Sequence, residues 1–212
     1  MIHWPIVFRH DIHRPESGAD FIGLDQMPLA DTWRALEECQ KAGLCRNLGV
    51  CNFSIKKLKA LISDCEIQPA VNQVECHPFL PQRDLMKFCH DHNMQFVAYS
   101  PLGSGDRPDR MKHEGDPNLF DQQAVLDIAT ERGVSAGAVI LAWQVNRGAI
   151  AIPKSSNAGR LKENLDAGSI QLSGAEMAAI DGIPVDHRYV HGRFWVHEGG
   201  PYTVENLWDE MS

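Results

Sequence analysis

RNLGVCNFSIKKLKALI, residues 46–62, decides the fold, because it holds one strand and one helix joined by a turn. Its first part, NLGVC (47–51), is short and nearly all apolar, as a strand buried on both faces must be. Asn52 and Phe53 end that run. Ser54 is placed to cap a helix by accepting a first-turn N–H, and Ile55, Leu58 and Ile62 then recur at helical spacing.

The unit repeats outward in both directions. AVNQV (70–74) reads as the next strand, with a helix over 82–92 that turns Leu85, Met86 and Cys89 inward. FVAY (96–99) is a further strand, followed by the Pro- and Gly-rich loop SPLGSGDRPDR (100–110). Helices over 121–132 and 135–146 lead to the strand AIAI (149–152), and helices over 158–165 and 173–181 follow. Upstream, MIHW reads as the tail of a buried strand. Asp31 is expected to cap a helix running to about Ala42, with Trp33 and Leu36 on its inner face and Gly43 ending it. Apolar strands separated by helices imply an α/β protein with a parallel sheet covered on both faces.

The composition agrees with this and removes other classes. The chain has 212 residues, 43% hydrophobic and 23% charged, which suits one globular domain and excludes a disordered tail, a fibre or a coiled coil. A formal net charge of −8 makes it a poor ligand for polyphosphate backbones, so no nucleic-acid partner is expected. No apolar run approaches the roughly 18 residues of a membrane span. The opening MIHWPIVFRHDIHRP, with a charge at Arg9 and Pro5 before it, reads as neither signal peptide nor anchor, and no membrane partner is expected. The cysteines Cys39, Cys45, Cys51, Cys65, Cys76 and Cys89 contain no C-x-x-C pair, which points to reduced thiols and a cytoplasmic location. The close histidine pairs His10/His13 and His90/His92 lack a third ligand at metal spacing, so no metal is expected.

Polar residues gather just beyond the strand ends: His3, Asn52, Gln73 with Glu75 and His77, Tyr99 with Ser100, and Lys154 with Ser155. Functional groups at the C-terminal ends of several strands are the display of a (β/α)8 barrel. Neither G-x-G-x-x-G nor G-x-x-x-x-G-K-[ST] follows a strand, which weighs against a nucleotide-binding open sheet. The count is about five strands, roughly three short of a closed barrel.

Each motif also has a bland reading. Asn52 can simply turn the chain into the Ser54 helix; alternatively its amide faces a planar amide ligand. Gln73 in a strand must face a partner, a cavity or solvent, since an unpaired buried amide costs about 1–3 kcal/mol. Tyr99 can be a core residue or a flat wall for a cofactor ring. The strongest signal is AIAIPKSSNAGRLKENL (149–165), in which a strand runs into Lys154, Ser155, Ser156 and Asn157 and then a helix bearing Arg160. Helix-start N–H groups, hydroxyls, an ammonium and a guanidinium within about two turns suit a phosphate monoester better than they suit an ordinary solvated helix start.

Taken together, IHWP (2–5), ADTWRALEE (30–38), LGVCNF (48–53), PAVNQVECHP (69–78), AYSPLG (98–103) and IPKS-x4-R-x2-EN (152–164) resemble, in order and spacing, the aldo-keto reductase family. The tail strings RYVHGRFW and PYTVENLWDE look most like its polyol and aldehyde reductases. The resemblance implies NADPH-dependent reduction of aldehydes or sugars on a (β/α)8 TIM barrel, with NADP(H) as cofactor and a small carbonyl or alcohol as substrate. It assigns His3 to the substrate carbonyl, and Cys51, Asn52 and Gln73 to the nicotinamide carboxamide. Tyr99 would stack on the nicotinamide ring, and Ser100, Leu102, Ser104 and Asp106 would line the loop over the pyrophosphate. Lys154, Ser155, Asn157 and Arg160 would hold the 2′-phosphate, and Glu163 and Asn164 the adenine. At position 51 Cys replaces the Ser common in the family, a weaker donor.

The family's general-acid Tyr, with its Lys and Asp partners, lies on strands before the IHWP strand, inside which this chain starts. Tyr99, Tyr189 and Tyr202 fall outside that pattern. Residues 1–212 are accordingly expected to be a single, N-terminally truncated barrel domain with about five of eight strands, inactive as it stands. The alternative is a non-catalytic NADP-binding or partner protein derived from a reductase.

Overall fold

The computed structural model describes residues 1–209; the last residue of the PYTVENLWDE string lies outside them. The strands are β1 (Val7–Phe8), β2 (Phe21–Ile22), β3 (Gly49–Cys51), β4 (Val71–Glu75), β5 (Gln95–Tyr99) and β6 (Ile150–Ala151). The helices are α1 (Leu29–Lys41), α2 (Ile55–Asp64), α3 (Arg83–Asp91), α4 (Gln123–Arg132), α5 (Ala136–Asn146), α6 (Ala158–Asp166), α7 (Gly174–Asp181) and α8 (Val204–Trp208). β3 to β6 form one sheet in sequence order, parallel in its β3–β4 and β5–β6 ladders, and β1 pairs antiparallel with β2. The α/β class expected from the alternation is therefore what folds.

The contacts divide the chain into two compact units, and β4 passes from one to the other. The first holds Met1–Gln73, Phe88–Met94 and the chain from His191. In it β3 and β4 pair in register Val50↔Asn72 and Cys51↔Gln73, and Ile2 makes a parallel bridge to Val50. The strand expected near 2–4 is thus reduced to this single bridge. Ser54 caps α2 as expected, accepting from Lys57 N–H at 3.2 Å. Asp31 does not cap α1. The helix starts three residues earlier than that cap would give, with Pro28 in the cap position and its extended backbone leading into Leu29.

Trp33 of α1 is fully buried and donates Nε1–H to Ile67 O at 2.8 Å, while the buried Glu37 accepts from Glu66 and Ile67 N–H at 2.8 and 2.9 Å. Around β1 and β2 the unit is aromatic. Trp4 meets Phe194, Trp195 and Trp208 edge-on at centroid separations of 5.4, 6.1 and 5.6 Å. Tyr202 Oη accepts from Val7 N–H at 2.8 Å and donates to Ile22 O at 2.7 Å, bracing the two-strand ladder.

The second unit holds Val74–Lys87 and Gln95–Val190. Its core is Phe79, Leu119, Val125, Ile128, Val139, Ile140, Trp143, Ile180 and Tyr189. α5 is buried on nearly every side, as an all-apolar helix must be, and Gln144 within it donates to Cys76 O at 2.6 Å. Ser135 caps α5, accepting from Ala138 N–H at 3.2 Å, and Gly133 ends α4 at φ 64°, a left-handed turn that glycine takes without a Cβ clash. α6 buries none of its residues.

Candidate active site

The first unit carries the candidate strand-end group. In a parallel ladder paired residues share a side of the sheet, so the Cys51↔Gln73 pair sets these two side chains next to one another. His3, exposed, follows the Ile2–Val50 bridge directly. Asn52 stands at the turn with φ 62° and is buried. Its N–H donates to Gln73 O at 2.9 Å and its Nδ2 donates to His3 O at 2.9 Å. Asn52 is therefore a turn residue in left-handed backbone and also the clip that ties His3 to β3. Of the two readings open in the sequence, the turn is the one seen here. Burial pushes the Cys51 thiol above its ordinary value, so it stands as a neutral thiol.

The second unit carries the other candidate residues. Tyr99 ends β5 half-buried. Beyond it the chain turns through left-handed backbone at Ser100 (φ 49°), Gly103 (φ 82°) and Ser104 (φ 48°). Ser100 and Ser104 join their hydroxyls across this turn, and Gly103 N–H donates to Ser100 O at 2.9 Å. A Cβ on Gly103 would come within 3.1 Å of Leu119 and 3.2 Å of Tyr189, pressing both side chains, while the positive φ favours glycine. The loop borders a cavity of about 300 Å³ lined in part by Leu102, Arg107, Asp116 and Tyr189.

Asp106, exposed in this loop, accepts from Lys154 Nζ at 3.2 Å. Lys154 follows β6, and from there Ser155 Oγ accepts from Asn157 N–H at 3.1 Å, while Asn157 Oδ1 caps α6 by accepting from Arg160 N–H at 3.0 Å. Arg160 and Glu163 are exposed and Asn164 half-buried on the same helix. The second unit thus gathers Asp106, Lys154, Ser155, Asn157 and Arg160 about the start of α6, an open helix N-terminus with two cationic side chains beside it. The first-turn N–H groups of a helix have no intrahelical acceptor, so such a place suits a phosphate.

Two features were beyond sequence reasoning. Glu75 is fully buried at the end of β4, and Arg107 is folded back over the Tyr189 ring at 4.7 Å. Burial pushes the Glu75 carboxyl up, but hydrogen bonds from His77 and from the N–H groups of Tyr189 and Val190 outweigh it and hold it below the ordinary range. Only a buried Glu at a strand end hinted at this in the sequence. Tyr189, 3% exposed, donates its hydroxyl to Pro117 O at 2.6 Å, and burial raises the phenol to about 12. Among the described residues no helix is long and apolar enough to cross a membrane.

Comparison with known proteins places these observations in a family. The chain is 47% identical over 211 residues to an aldo/keto reductase of Synechocystis sp., covering 100% of this chain and 64% of that protein. It is 39% identical to deoxymugineic acid synthase 1 of Zea mays over 99% of this chain and 64% of that one. It is 37% identical to aldo-keto reductase family 1 member A1 of Mus musculus over 90% of this chain and 58% of that one. The chain therefore spans less than two thirds of the length of these relatives. Residues 2–184 match the aldo/keto reductase family as a whole, and the chain belongs to that family.

Proposed function

We propose that the chain binds NADP(H) and supplies the cofactor side of a carbonyl reductase, an oxidoreductase that turns aldehydes or sugars into alcohols. When bound, the nicotinamide supplies or accepts the hydride. The observation that carries this reading is the start of α6, where Lys154 and Arg160 stand exposed beside a helix N-terminus capped by Asn157. A terminal phosphate carries charge enough to engage both cations, and each charge-assisted contact is worth about 1.5–3 kcal/mol. In this reading Lys154, Ser155, Asn157 and Arg160 hold the 2′-phosphate, with Glu163 and Asn164 beside the adenine. Ser100, Leu102, Ser104 and Asp106 belong to the pyrophosphate loop, and Tyr99 offers a flat ring to the nicotinamide. Cys51, Asn52 and Gln73 face the carboxamide. His3, held by Asn52 through its backbone carbonyl, orients the substrate carbonyl. In this reading residues 1–212 are part of one barrel domain of the (β/α)8 type, with about five of its eight strands, and a cytoplasmic location accords with Cys51, Cys76 and Cys89 being core thiols.

A second reading, NADP binding without turnover, is favoured by the tyrosines. A carbonyl accepting hydride needs a proton donor at the developing alkoxide. Tyr189 and Tyr202 give their hydroxyls to Pro117 O and Ile22 O, and burial raises both phenols. Calorimetric titration of the purified chain tests the shared claim. NADPH should bind at least about tenfold more tightly than NADH, a difference of about 1.4 kcal/mol; equal affinities would remove the assignment of the α6 site. Aldehyde-dependent oxidation of NADPH by the same preparation tests the second reading, which turnover would overturn.

A further inference from the structure

The carboxylate of Glu75 does nothing in the scheme above, yet it is among the most completely satisfied groups in the second unit. Oε1 lies 2.8 Å from His77 Nε2 and accepts from Tyr189 N–H at 2.7 Å, and Oε2 accepts from Val190 N–H at 2.8 Å. Two consecutive backbone N–H groups of the segment 187–190 are therefore fixed to the end of β4. His187 N–H reinforces the attachment by donating to Phe79 O at 3.0 Å.

The other side of that segment faces the loop 100–121. Tyr189 reaches it three times. Its hydroxyl donates to Pro117 O, its ring packs where a Cβ on Gly103 would stand, and its face carries the Arg107 guanidinium. Arg107 in turn pairs with Asp116 and donates to Ser104 O at 3.2 Å and Met111 O at 3.0 Å. His187 Nε2 lies 3.4 Å from Asp116 Oδ1. The loop that bears Ser100, Leu102, Ser104 and Asp106 is thus fastened at both limbs to one tyrosine, whose backbone is fastened to one carboxylate.

We propose that Glu75 is a positioning residue for the 100–121 loop, acting through Tyr189, and that this clamp governs how long a dinucleotide stays bound. The second half rests on the NADP(H) reading; the first does not. A buried carboxylate at the end of a strand is a rigid anchor, and two N–H acceptors on one carboxylate fix orientation as one could not. Glu75→Gln keeps the size but sets an amide NH2 against one of the two backbone N–H groups. Tyr189→Phe keeps the ring and its packing and removes only the bond to Pro117.

The test is hydrogen exchange followed by mass spectrometry on the cofactor-free wild type and both variants, joined to stopped-flow release of NADPH. In Glu75→Gln the amides of 100–121 should exchange about tenfold faster, with a smaller increase in Tyr189→Phe, while those of α5 keep their protection. NADPH release should quicken in the same order with its association rate unchanged. Loop exchange that is unaltered in both variants, or that rises equally in α5, overturns the clamp. Faster loop exchange with unaltered NADPH release overturns its role in cofactor retention. If Glu75→Gln does not fold, Tyr189→Phe decides alone by the same readings. A wild type that binds no NADPH sinks the NADP(H) reading and the retention role, and leaves the clamp to be judged on exchange.

Discussion

Lys154 Nζ lies 3.2 Å from Asp106 Oδ2, so that a side chain from the loop after β5 meets one that follows β6. Both are largely exposed, at 74% and 67%. An ion pair of this kind contributes about 0–1 kcal/mol, because water and salt screen it. Its place in the fold is beside the start of α6, which follows Lys154 after β6.

Asp106→Asn should accordingly change unfolding free energy by less than about 1 kcal/mol, and the difference should shrink further in 1 M salt. Urea denaturation at low and high ionic strength checks this. A loss of several kcal/mol would show that the pair holds the loop together.

Lys57→Ala should be costlier. Lys57 is 9% exposed, and Nζ donates to Asn206 O at 2.7 Å, Leu207 O at 3.0 Å and Asp209 Oδ2 at 2.5 Å, closing the C-terminal end of α8 onto α2. A destabilisation of about 1–3 kcal/mol is expected from the lost bonds and the acceptors left behind. Burial pushes the Asp209 carboxyl up, but hydrogen bonds from Lys57 and Ser54 hold it below its ordinary 3.8. That contribution is present above the ordinary value and is lost as pH falls through the depressed one, so the gap between wild type and variant should narrow in strong acid to the part due to the Asn206 and Leu207 carbonyls. Denaturation midpoints followed downward in pH give the answer; a gap that persists undiminished excludes the ionic part.

Glu176 provides a second titration. Hydrogen bonds from Arg132, and then from Ser173, lower its carboxyl from 4.5 to about 2. The folded value is depressed, so the stabilisation is complete above about 4.5 and drains away as pH falls toward about 2. In Arg132→Ala the Glu176 carboxyl should titrate nearer its ordinary value, with the Ser173 capping box retaining part of the depression. Carboxyl carbon NMR reads this directly, and an unchanged titration would remove Arg132 as the main cause.

Much of this was legible in the sequence wherever local chemistry decides. The Ser54 cap, the β3, β4 and β5 strands and the α2 to α7 helices follow from a hydroxyl cap, apolar runs and helical spacing, with ends shifted by a residue or two. The left-handed turn at Asn52 was one of two open readings for that residue. What lay beyond reach depends on partners far along the chain. β1 and β2 are two residues each, too short to show alternation, and are braced by Tyr202 some 180 positions away. α8 is five residues long and is closed by Lys57. Glu75 reads as one of several polar residues at the end of a strand, and nothing nearby shows that the Tyr189 N–H is its partner. The start of α6 was the most legible part of the site, because strand, cap, hydroxyls and cations all fall within one short stretch.

The claim that Lys154 and Arg160 read a terminal phosphate is tested most directly by phosphorus NMR of NADP+ added to the chain and to Arg160→Ala. With the wild type, the 2′-phosphate signal should shift and broaden more than the diphosphate signals. In Arg160→Ala that shift should fall away and the affinity should drop by about ten- to a hundredfold, the equivalent of one lost charge-assisted contact. A 2′-phosphate signal that does not move with the wild type, or that moves equally with Arg160→Ala, contradicts the account.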